Sequence, residues 1–364
     1  MKLLVDARNL GVKPSGVGMY AYNFIIELMN RRDLEIHVLV DVIESCEICF
    51  LNEKSIVTVH SYGKTVNKSV SVYGYFAFVK KMIDVIKPDF FWETNNLAPV
   101  RIRNPYGKYI VTIHDVFPLT MPECYKKYYP VYFKLGVKKT IRSCDAIVYN
   151  SETTKKEVLK FFPETLEKKN FVSYIIIPPT SYEKEERERE GFFYMGNLEK
   201  RKGVDILLLA YDRYIEAGGR KKLYIAGKEC EEDITVELNL QLQKHESIEY
   251  LGYLSGEQRE GMFSKCECFV FPSRAEGFGM PVVEALAGGC DVITSDLPVF
   301  REVVGDYIEQ FAMGKSKEDA ITNLFQCMLR YEGVNRKRDG KEISVKYSGK
   351  ILEPRMYEFL REIE

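Results

Sequence analysis

The chain has 364 residues, of which 46% are hydrophobic and 13% aromatic, and this is enough apolar material for about two packed domains. Such a composition excludes a largely disordered protein. The net charge of −1 argues against a protein that wraps nucleic acid, because such proteins usually have a basic excess. Charged residues occur within the first few positions after Met1, and no run of about 18 apolar residues is present. The sequence therefore predicts neither a signal peptide nor a transmembrane helix, but a cytoplasmic protein.

The charge is distributed unevenly along the chain. Residues 1–180 contain 25 Lys and Arg against 18 Asp and Glu, a net charge of +7, whereas the remaining residues contain 27 against 35, a net charge of −8. Halves of opposite charge indicate two domains with different partners. The charged run at 183–190 directly precedes an apolar strand and predicts a boundary. We expect domains at 1–182 and 191–345, followed by a C-terminal helix at 346–364.

Apolar strands alternate with helical segments along both halves. The predicted strands of the first half are 3–6, 36–40, 90–92, 109–113, 146–149 and 172–177, and its helices are 18–30, 73–86, a stretch within 126–142, and 153–161. Ser151 is predicted to be the N-cap of the last of these helices. The predicted strands of the second half are 192–195, 223–226, 248–251, 268–271 and 292–294, and its helices are 204–216, a stretch within 233–245, 256–265 and 281–287. Ser255 and Gln258 form a capping box at the start of the helix at 256–265, and Gly288 and Gly289 are predicted to end the helix at 281–287. This alternation predicts an α/β protein with parallel, doubly wound sheets, in which ligands bind at the carboxyl ends of strands.

Two glycines follow the first predicted strand. The pattern Gly16-x-Gly18-x-x-Ala21 formally matches a dinucleotide-binding fingerprint, and Asp41 ends the next strand. That fingerprint expects its glycines directly after the strand, but about nine residues intervene here. An NAD(P)-dependent oxidoreductase is therefore one hypothesis. Close approach of Gly16 and Gly18 to a phosphate or substrate is another.

A single histidine follows an apolar strand in the first half. His114 and Asp115 come directly after the predicted strand 109–113. A lone histidine is more often structural, although the carboxyl end of a parallel strand is where ligands bind. Both interpretations of His114 stay open from the residues alone.

Three cations precede a predicted helix start in the second half. Lys200, Arg201 and Lys202 come just before the helix at 204–216. Positive charge is unfavourable at a helix N-terminus, so the cluster indicates either a solvated loop or a site for an anion.

The sharpest motif is the glycine loop between strand 268–271 and the helix predicted to begin at Pro281. Backbone amides from Gly277 to Met280 should point out of the helix start, where anions bind. Glu276 precedes the loop and Glu284 is expected in the first turn of the helix, and both suit a neutral, hydroxyl-rich group such as a sugar or ribose. The alternative for Glu284 is that it only compensates the helix dipole. Together with the three cations, this loop predicts a diphosphate bound between two helix N-termini.

These motifs resemble those of the retaining glycosyltransferases of family 4 (group 1), which have the GT-B fold, and are similar to those of bacterial polysaccharide mannosyltransferases. The segments that resemble the family are 15–20 (SGVGMY), 113–115 (IHD), 146–151 (AIVYNS), 196–203 (GNLEKRKG) and 276–284 (EGFGMPVVE). They extend over nearly the whole chain, and Glu276-x7-Glu284 is the most specific. The resemblance implies two Rossmann-like domains that face each other across a cleft, with a C-terminal helix that crosses back to the first domain.

The resemblance implies that the second domain binds the nucleotide sugar. Glu276 would hold hydroxyls of the transferred sugar, Glu284 would hold the ribose hydroxyls, and Lys202 would bind the diphosphate. The backbone of the glycine loop would place the sugar or phosphate, and this loop consists of Gly277, Phe278, Gly279 and Met280.

The first domain would bind the acceptor. By resemblance, His114 lies near the anomeric centre, and Gly16 or Gly18 approaches the diphosphate. The family often has an arginine where this chain has Asn197, so Arg201 is the candidate for the second cation.

The reaction implied is retaining transfer of a hexose, with mannose favoured, from a GDP- or UDP-sugar to a glycan or polyprenyl-linked acceptor in cell-surface polysaccharide synthesis. No Asp-x-Asp motif is present as a divalent-cation ligand, which favours a reaction without metal or cofactor in which Lys and Arg stabilise the departing diphosphate. Besides the oxidoreductase, a binding-only, inactive relative of these transferases is an alternative, because Asn197 departs from the family pattern.

The stretch 126–139 contains both aromatic residues and lysines. One interpretation is a core helix with a solvated basic face. The other is a surface that contacts a lipid diphosphate acceptor or the inner face of the membrane, which would make the protein peripheral there.

Overall fold

The computed structural model describes residues 1–66, 69–178, 189–331 and 340–364. The chain forms two compact units. The first consists of Met1–Pro178 and Tyr347–Glu364, and the second consists of Pro179–Lys346. Most of the charged run predicted as a linker, residues 183–188, lies outside the described part.

Within the described residues, the first unit contains a parallel sheet of seven strands. The strands are β1 Lys2–Asp6, β2 Glu35–Val40, β3 Val57–Ser61, β4 Phe90–Glu93, β5 Lys108–Ile113, β6 Ala146–Tyr149 and β7 Lys169–Val172. Their order across the sheet is β3-β2-β1-β4-β5-β6-β7. β4 and β6 are buried throughout and β1 is buried after Lys2, and their residues are apolar apart from Lys2, Asp6 and Glu93, as a sheet covered on both faces requires.

The helices of the first unit lie between these strands in the chain. They are α1 Gly16–Leu28, α2 Cys46–Asn52, α3 Ser69–Ile86, α4 Phe117–Thr120, α5 Tyr129–Ser143 and α6 Glu152–Phe161. The hydroxyl of Ser151 accepts a hydrogen bond from the Thr154 amide and caps α6, as predicted. The predicted helix at 18–30 begins two residues earlier, because Ser15 caps α1.

The second unit contains a six-stranded parallel sheet within the described residues. Its strands are β8 Phe192–Met195, β9 Leu223–Ala226, β10 Ile248–Gly252, β11 Cys268–Phe271, β12 Asp291–Ser295 and β13 Glu309–Phe311, in the order β10-β9-β8-β11-β12-β13. Its helices are α7 Val204–Glu216, α8 Glu232–Lys244, α9 Gly256–Lys265, α10 Met280–Ala287, α11 Pro298–Val303, α12 Lys317–Arg330 and α13 Lys341–Lys346. Two α/β units with parallel sheets confirm the predicted fold class.

The last helix, α14 Gly349–Ile363, packs on the first unit. Arg31 donates to both carboxylate oxygens of Glu353 at 2.8 and 3.0 Å, and the Phe359 ring stacks on Phe171 with 5.0 Å between centroids. A bidentate pair and a ring stack together hold the helix in one orientation.

The predicted strand at 172–177 is wrong in its position. β7 ends at Val172, and the apolar residues 175–177 are buried without belonging to a strand. The Ile177 amide donates to the Tyr347 carbonyl at 2.8 Å, just before α14. Burial next to α14, rather than sheet pairing, accounts for this apolar run.

β3 and β13 are absent from the predicted elements. Both lie at sheet edges, and several of their residues are exposed or half-buried, so neither shows a continuous apolar run. Among the described helices, none combines the length and apolar character that crossing a bilayer requires.

Candidate functional site

The loops after β8 and β11 start side by side, because these strands are neighbours in the second sheet. Gly203, the last residue of the loop after β8, has φ +73°, and a Cβ built on it would lie 1.9 Å from the carbonyl oxygen of Pro272 in the loop after β11. The Arg274 amide donates to the Arg201 carbonyl at 2.8 Å. The close approach therefore requires glycine at position 203.

Lys202 and Glu276 meet where the two loops touch. Lys202 Nζ donates to Glu276 Oε1 at 2.7 Å, and the hydroxyl of Ser273 donates to the same oxygen at 2.7 Å. The side chains of Lys202 and Glu276 are only 16% and 8% exposed. Both of these hydrogen bonds are to Oε1, and the second carboxylate oxygen, Oε2, is the one that can accept a hydrogen bond from a ligand hydroxyl.

Arg201 contacts neighbouring residues through both terminal nitrogens of its guanidinium group. It donates to the Ala275 carbonyl at 3.2 Å and pairs with the Glu199 carboxylate. Asn197, where the family often has arginine, is exposed, and its carbonyl accepts from the Tyr194 hydroxyl at 3.1 Å. Arg201 thus places positive charge beside the glycine loop while also supporting that loop.

Arg274 has a structural role that the motif alone did not reveal. Its guanidinium group donates to both oxygens of Asp205, the second residue of α7, at 2.7 and 2.9 Å. Lys317 Nζ lies 2.9 Å from Asp205 Oδ2. Burial opposes the charged carboxylate, but the hydrogen bonds and charges of Arg274 and Lys317 outweigh it and lower the pKa of Asp205. The pairing ties the β11 loop to the start of α7.

The helix α10 begins directly at the glycine loop. Gly279 has φ +85° and forms the N-cap, and a Cβ on it would lie 2.6 Å from the Phe300 ring. Helix N-termini leave their first backbone N–H groups without intrahelical partners, which favours an anion there. The expected helix start is corrected by one residue: Met280 is the first helical residue and Pro281 the second.

Glu284 is therefore the fifth residue of α10 and lies beyond its first turn, contrary to the sequence-based expectation. Burial raises the pKa of Glu284, and Arg259 opposes that rise from 3.5 Å. Arg259 is on α9 and was not predicted as a site residue. At this depth in the helix, Glu284 contributes little to compensating the helix dipole, which favours a role in ligand binding.

His114 in the first unit is a buried, neutral histidine. Its Nε2 lies 2.8 Å from the Thr94 carbonyl oxygen, which can only accept, so Nε2 carries the proton and Nδ1 is an acceptor. Its exposed fraction is 5%, and burial lowers its pKa to about 4. The His114 ring packs nearly perpendicular to the ring of Tyr20 in α1, with 4.8 Å between centroids.

Gly16 and Gly18 lie in the first turn of α1. The hydroxyl of Ser15 accepts a hydrogen bond from the Gly18 amide at 3.2 Å. A Cβ on Gly18 would lie 2.4 Å from the Asn9 carbonyl oxygen, so contact within the first unit already requires glycine there. The 3-10 turn Arg8–Leu10 and a loop separate β1 from α1, unlike a dinucleotide-binding turn.

No group of three or more His, Cys, Asp or Glu side chains within the described ranges is arranged to hold a metal ion. The structure thus brings Lys202, Glu276 and the start of α10 together in the second unit. In the first unit it brings His114 into contact with Tyr20 of α1.

Two α/β units, each built on a parallel sheet, are the architecture of the GT-B fold. Solved structures share the fold over the whole chain. HepE of Anabaena, solved in complex with UDP and glucose, has a TM-score of 0.76 at 16% identity, and 100% of both chains is covered. Sucrose-phosphate synthase of Thermosynechococcus elongatus has a TM-score of 0.76 at 12% identity, covering 100% of this chain and 98% of the other.

Sequence comparison identifies the family. The model for Glycosyltransferase Family 4 matches residues 14–210, and that for Glycosyl transferases group 1 matches residues 181–341. The chain belongs to glycosyltransferase family 4. The O-antigen chain mannosyltransferase RfbU of Salmonella typhimurium is 24% identical over 89% of this chain and 91% of its own length. The O-antigen chain mannosyltransferase B of Escherichia coli is 29% identical over 54% of this chain and 55% of its own.

Proposed function

We propose that the protein is a retaining mannosyltransferase that uses a GDP- or UDP-activated hexose and acts on a glycan or polyprenyl-linked acceptor in cell-surface polysaccharide synthesis. The observation that supports it best is the pair of Lys202 and Glu276, 2.7 Å apart beside the start of α10. A cation and amide donors suit a diphosphate, and a carboxylate beside them suits sugar hydroxyls. The names of RfbU and the Escherichia coli relative support mannose as the transferred sugar.

In this proposal each group of the second unit has one ligand. Glu276 Oε2 accepts from a hydroxyl of the transferred sugar, and Glu284 accepts from the ribose hydroxyls. Lys202 and Arg201 stabilise charge on the diphosphate as the sugar–phosphate bond breaks. The four residues of the glycine loop, which are Gly277, Phe278, Gly279 and Met280, place the sugar and phosphate through their backbone.

The residues of the first unit would complete the contacts with the donor. His114 contacts the transferred sugar through Nδ1, which can accept a hydroxyl hydrogen bond. Gly16 or Gly18, in the first turn of α1, approaches the diphosphate. A histidine whose pKa lies near 4 is a weak base at neutral pH, so hydrogen bonding rather than proton abstraction is its proposed role.

The proposed transfer proceeds with retention and without a metal ion or cofactor. The acceptor hydroxyl attacks from the face that the diphosphate leaves, and the departing phosphate oxygen takes its proton. Glu276 is not assigned as the nucleophile, because one of its oxygens already accepts from Lys202 and Ser273. The anomeric configuration of the product, read by NMR, tests retention, and full turnover in excess EDTA tests independence from metal.

A screen of nucleotide sugars tests the function as a whole. GDP-mannose, GDP-glucose, UDP-glucose and UDP-galactose are compared by thermal shift and by release of the nucleotide. One donor should stabilise the protein and be turned over. Glu276→Gln should abolish turnover of that donor while leaving the protein folded. Lys244→Ala, which removes an exposed lysine at the end of α8 that pairs with Asp212 of α7, should not change turnover.

Two results would count against the proposal. Stabilisation by a donor without turnover would instead support the binding-only relative. No response to any nucleotide sugar would reject the site.

The exposed face of α5 supports peripheral contact with a membrane that contains a lipid-linked acceptor. Val131 and Leu135 lie one helical turn apart and are both 63% exposed, whereas Phe133 and Val137 are buried in the core. Exposed apolar residues flanked by lysines are typical of helices that lie at an anionic lipid surface. The flanking cations are Lys126, Lys127, Lys134, Lys138 and Lys139.

Vesicle binding tests this surface. The protein should bind vesicles rich in phosphatidylglycerol at low salt, and the Val131→Ser/Leu135→Ser double variant should lose that binding. Val236 and Leu240 on α8 are 54% and 55% exposed with the same spacing, so their double serine variant is the matched control. If the wild-type protein does not bind, or if both double variants lose binding equally, the surface on α5 is not a membrane site.

A further inference from the structure

A buried charge cluster lies at the carboxyl ends of two neighbouring strands of the first unit. Asp6 ends β1 and Glu93 ends β4, and the two residues are directly opposite in the parallel register. Both carboxylate side chains are 0% exposed, and the side chain of Arg8 between them is 13% exposed. Buried carboxylates are costly unless they are paired, so this cluster depends on Arg8.

Arg8 contacts every part of the cluster. Nη1 lies 2.8 Å from Asp6 Oδ2, Nη2 lies 3.5 Å from Glu93 Oε1, and the guanidinium carbon is 4.7 Å from the Phe76 ring centroid. The hydroxyl of Tyr75 donates to the other oxygen of Asp6 at 2.7 Å. Burial raises the pKa of Glu93 to about 7, although Arg8 opposes that rise.

The segment that follows β4 is tied to this cluster. Arg8 Nη2 donates to the Leu97 carbonyl at 3.3 Å, and the Thr94 hydroxyl donates to the Asp6 carbonyl at 2.6 Å. The side chain of Asn9 also donates to Asn95. Both ends of the segment 94–97 are therefore held by residues 6–9.

The same segment holds His114 at two points. The Thr94 carbonyl accepts from Nε2 of the His114 ring at 2.8 Å, and Asn96 Oδ1 accepts from the His114 amide at 2.7 Å. A displacement of the Thr94 carbonyl would release the Nε2 proton from its acceptor. The neutral ring could then exchange to the tautomer that carries the proton on Nδ1, which cannot accept a hydrogen bond.

We propose that Arg8 is a positioning residue that, through the segment 94–97, holds His114 with Nε2 protonated and Nδ1 presented as an acceptor. The catalytic consequence rests on the proposed function, because it requires His114 Nδ1 to contact the transferred sugar. Arg8 itself touches no substrate in this scheme. Its planar group donates in several directions at once, which the single ammonium group of lysine cannot reproduce.

Two variants of Arg8 test the proposal. Arg8→Met removes all the donors, and Arg8→Lys keeps a positive charge between the carboxylates so that the protein folds even where the methionine variant does not. Nitrogen-15 NMR of the labelled full chain reads the tautomer of His114, because the chain has only four histidines and His114→Gln identifies the signal. Both variants should show the Nδ1-protonated form and a kcat lower by about 10- to 100-fold, with little change in the KM of the donor.

Arg31→Met is the matched control. It removes a bidentate arginine–carboxylate pair elsewhere in the first unit, in which Arg31 donates to Glu353 of α14. It should lower the melting temperature while leaving the His114 tautomer and kcat unchanged. A purely structural role for Arg8 would make its variants behave like Arg31→Met.

The outcomes separate the inference from the proposed function. The inference is overturned if His114 keeps the wild-type tautomer in both Arg8 variants. It is also overturned if the tautomer changes in Arg8→Met alone, because the positive charge rather than the geometry of the guanidinium group would then hold the segment 94–97. A changed tautomer with unchanged kcat overturns the catalytic part. If the wild-type protein turns over no nucleotide sugar, the proposed function fails, whereas the tautomer still reports whether Arg8 positions His114.

Discussion

Replacing Lys202 by methionine should lower both the stability of the protein and the turnover of the donor, for two different reasons. Methionine keeps an apolar side chain near the Phe271 ring, whose centroid lies 5.3 Å from Nζ, but removes the ammonium group. Glu276, which is 8% exposed, then keeps only the hydrogen bond from Ser273. An uncompensated carboxylate therefore remains in a poorly hydrated position.

The size of this effect follows from the burial of the pair. Removing one partner of a fully buried pair costs about 3–5 kcal/mol. The remaining exposure of Lys202 and Glu276 lets water screen the orphaned charge, which reduces the expected loss to about 2 kcal/mol. For a domain of about 150–250 residues, each kcal/mol lowers the melting temperature by about 2–4 °C, so we expect a decrease of about 4–8 °C.

A second substitution separates the two roles. Lys202→Met/Glu276→Gln has no orphaned charge, and the glutamine oxygen can still accept from Ser273. Calorimetry without ligand should show most of the lost stability restored, while release of nucleotide from the donor stays at least about 100-fold below wild type, because the cation for the diphosphate is absent. Lys244→Met, at an exposed pair, should change stability by less than about 1 kcal/mol.

Two results would refute this reasoning. If Lys202→Met is as stable as the wild-type protein, the ion pair does not hold Glu276. If the double variant turns over donor at the wild-type rate, Lys202 does not bind the diphosphate.

Three further predictions concern single residues. Gly203→Ala should lower stability more than Gly218→Ala, because both have positive φ but only Gly203 approaches another atom, the Pro272 carbonyl oxygen; equal losses in urea unfolding would contradict the close contact. His114 has a pKa lowered to about 4 by burial, so the unfolded state binds its proton first and stability falls as pH decreases from 6.5 towards 4. Between pH 6.5 and 4, the free energy of unfolding of His114→Gln should therefore fall by about 3 kcal/mol less than that of the wild-type protein. The same pH dependence in both proteins would contradict the burial of His114. Glu93 has a pKa raised to about 7, chiefly by burial, so the unfolded state loses its proton first and stability falls as pH increases from 4.5 to 7. Glu93→Gln should reduce this pH dependence of stability. If the variant and the wild-type protein have the same pH dependence, the raised pKa of Glu93 is contradicted.

Features that depend on neighbouring residues were predictable from the sequence. Ser255 and Gln258 form the predicted capping box of α9, in which each side chain bonds the other residue's amide. The helix α10 ends at Gly288 and Gly289 as predicted, and Gly289 has φ +85° with the Cys290 amide bonded to the Ala285 carbonyl. Local hydrogen bonds and backbone preferences act over a few residues, so they are visible in the sequence itself.

Edge strands could not be recognised in this way, and neither could an apolar run that is buried without forming a strand. The apolar residues 175–177 look like a strand by composition, but they are buried next to α14, which begins more than 170 residues later in the chain. β13 has only three residues, and one of them is buried. Periodicity reports that a residue is buried but not which element covers it.

The residues of the candidate site were found as separate motifs, and the sequence could also indicate the chemistry of each: cations before one helix, a carboxylate and glycines before another. Only the tertiary structure decided which of them meet. Lys202 and Glu276 are 74 residues apart, and they lie 2.7 Å from each other because β8 and β11 are neighbours in the sheet, an order that strand sequences do not encode.

The same holds for Arg8, Asp6 and Glu93, which come together through the pairing of β1 with β4. Local propensities and apolar periodicity, which are short-range, determined the elements and the α/β class. Strand order and burial, which arise when distant segments pack, decided the ion pairs, the perturbed pKa values and the orientation of His114.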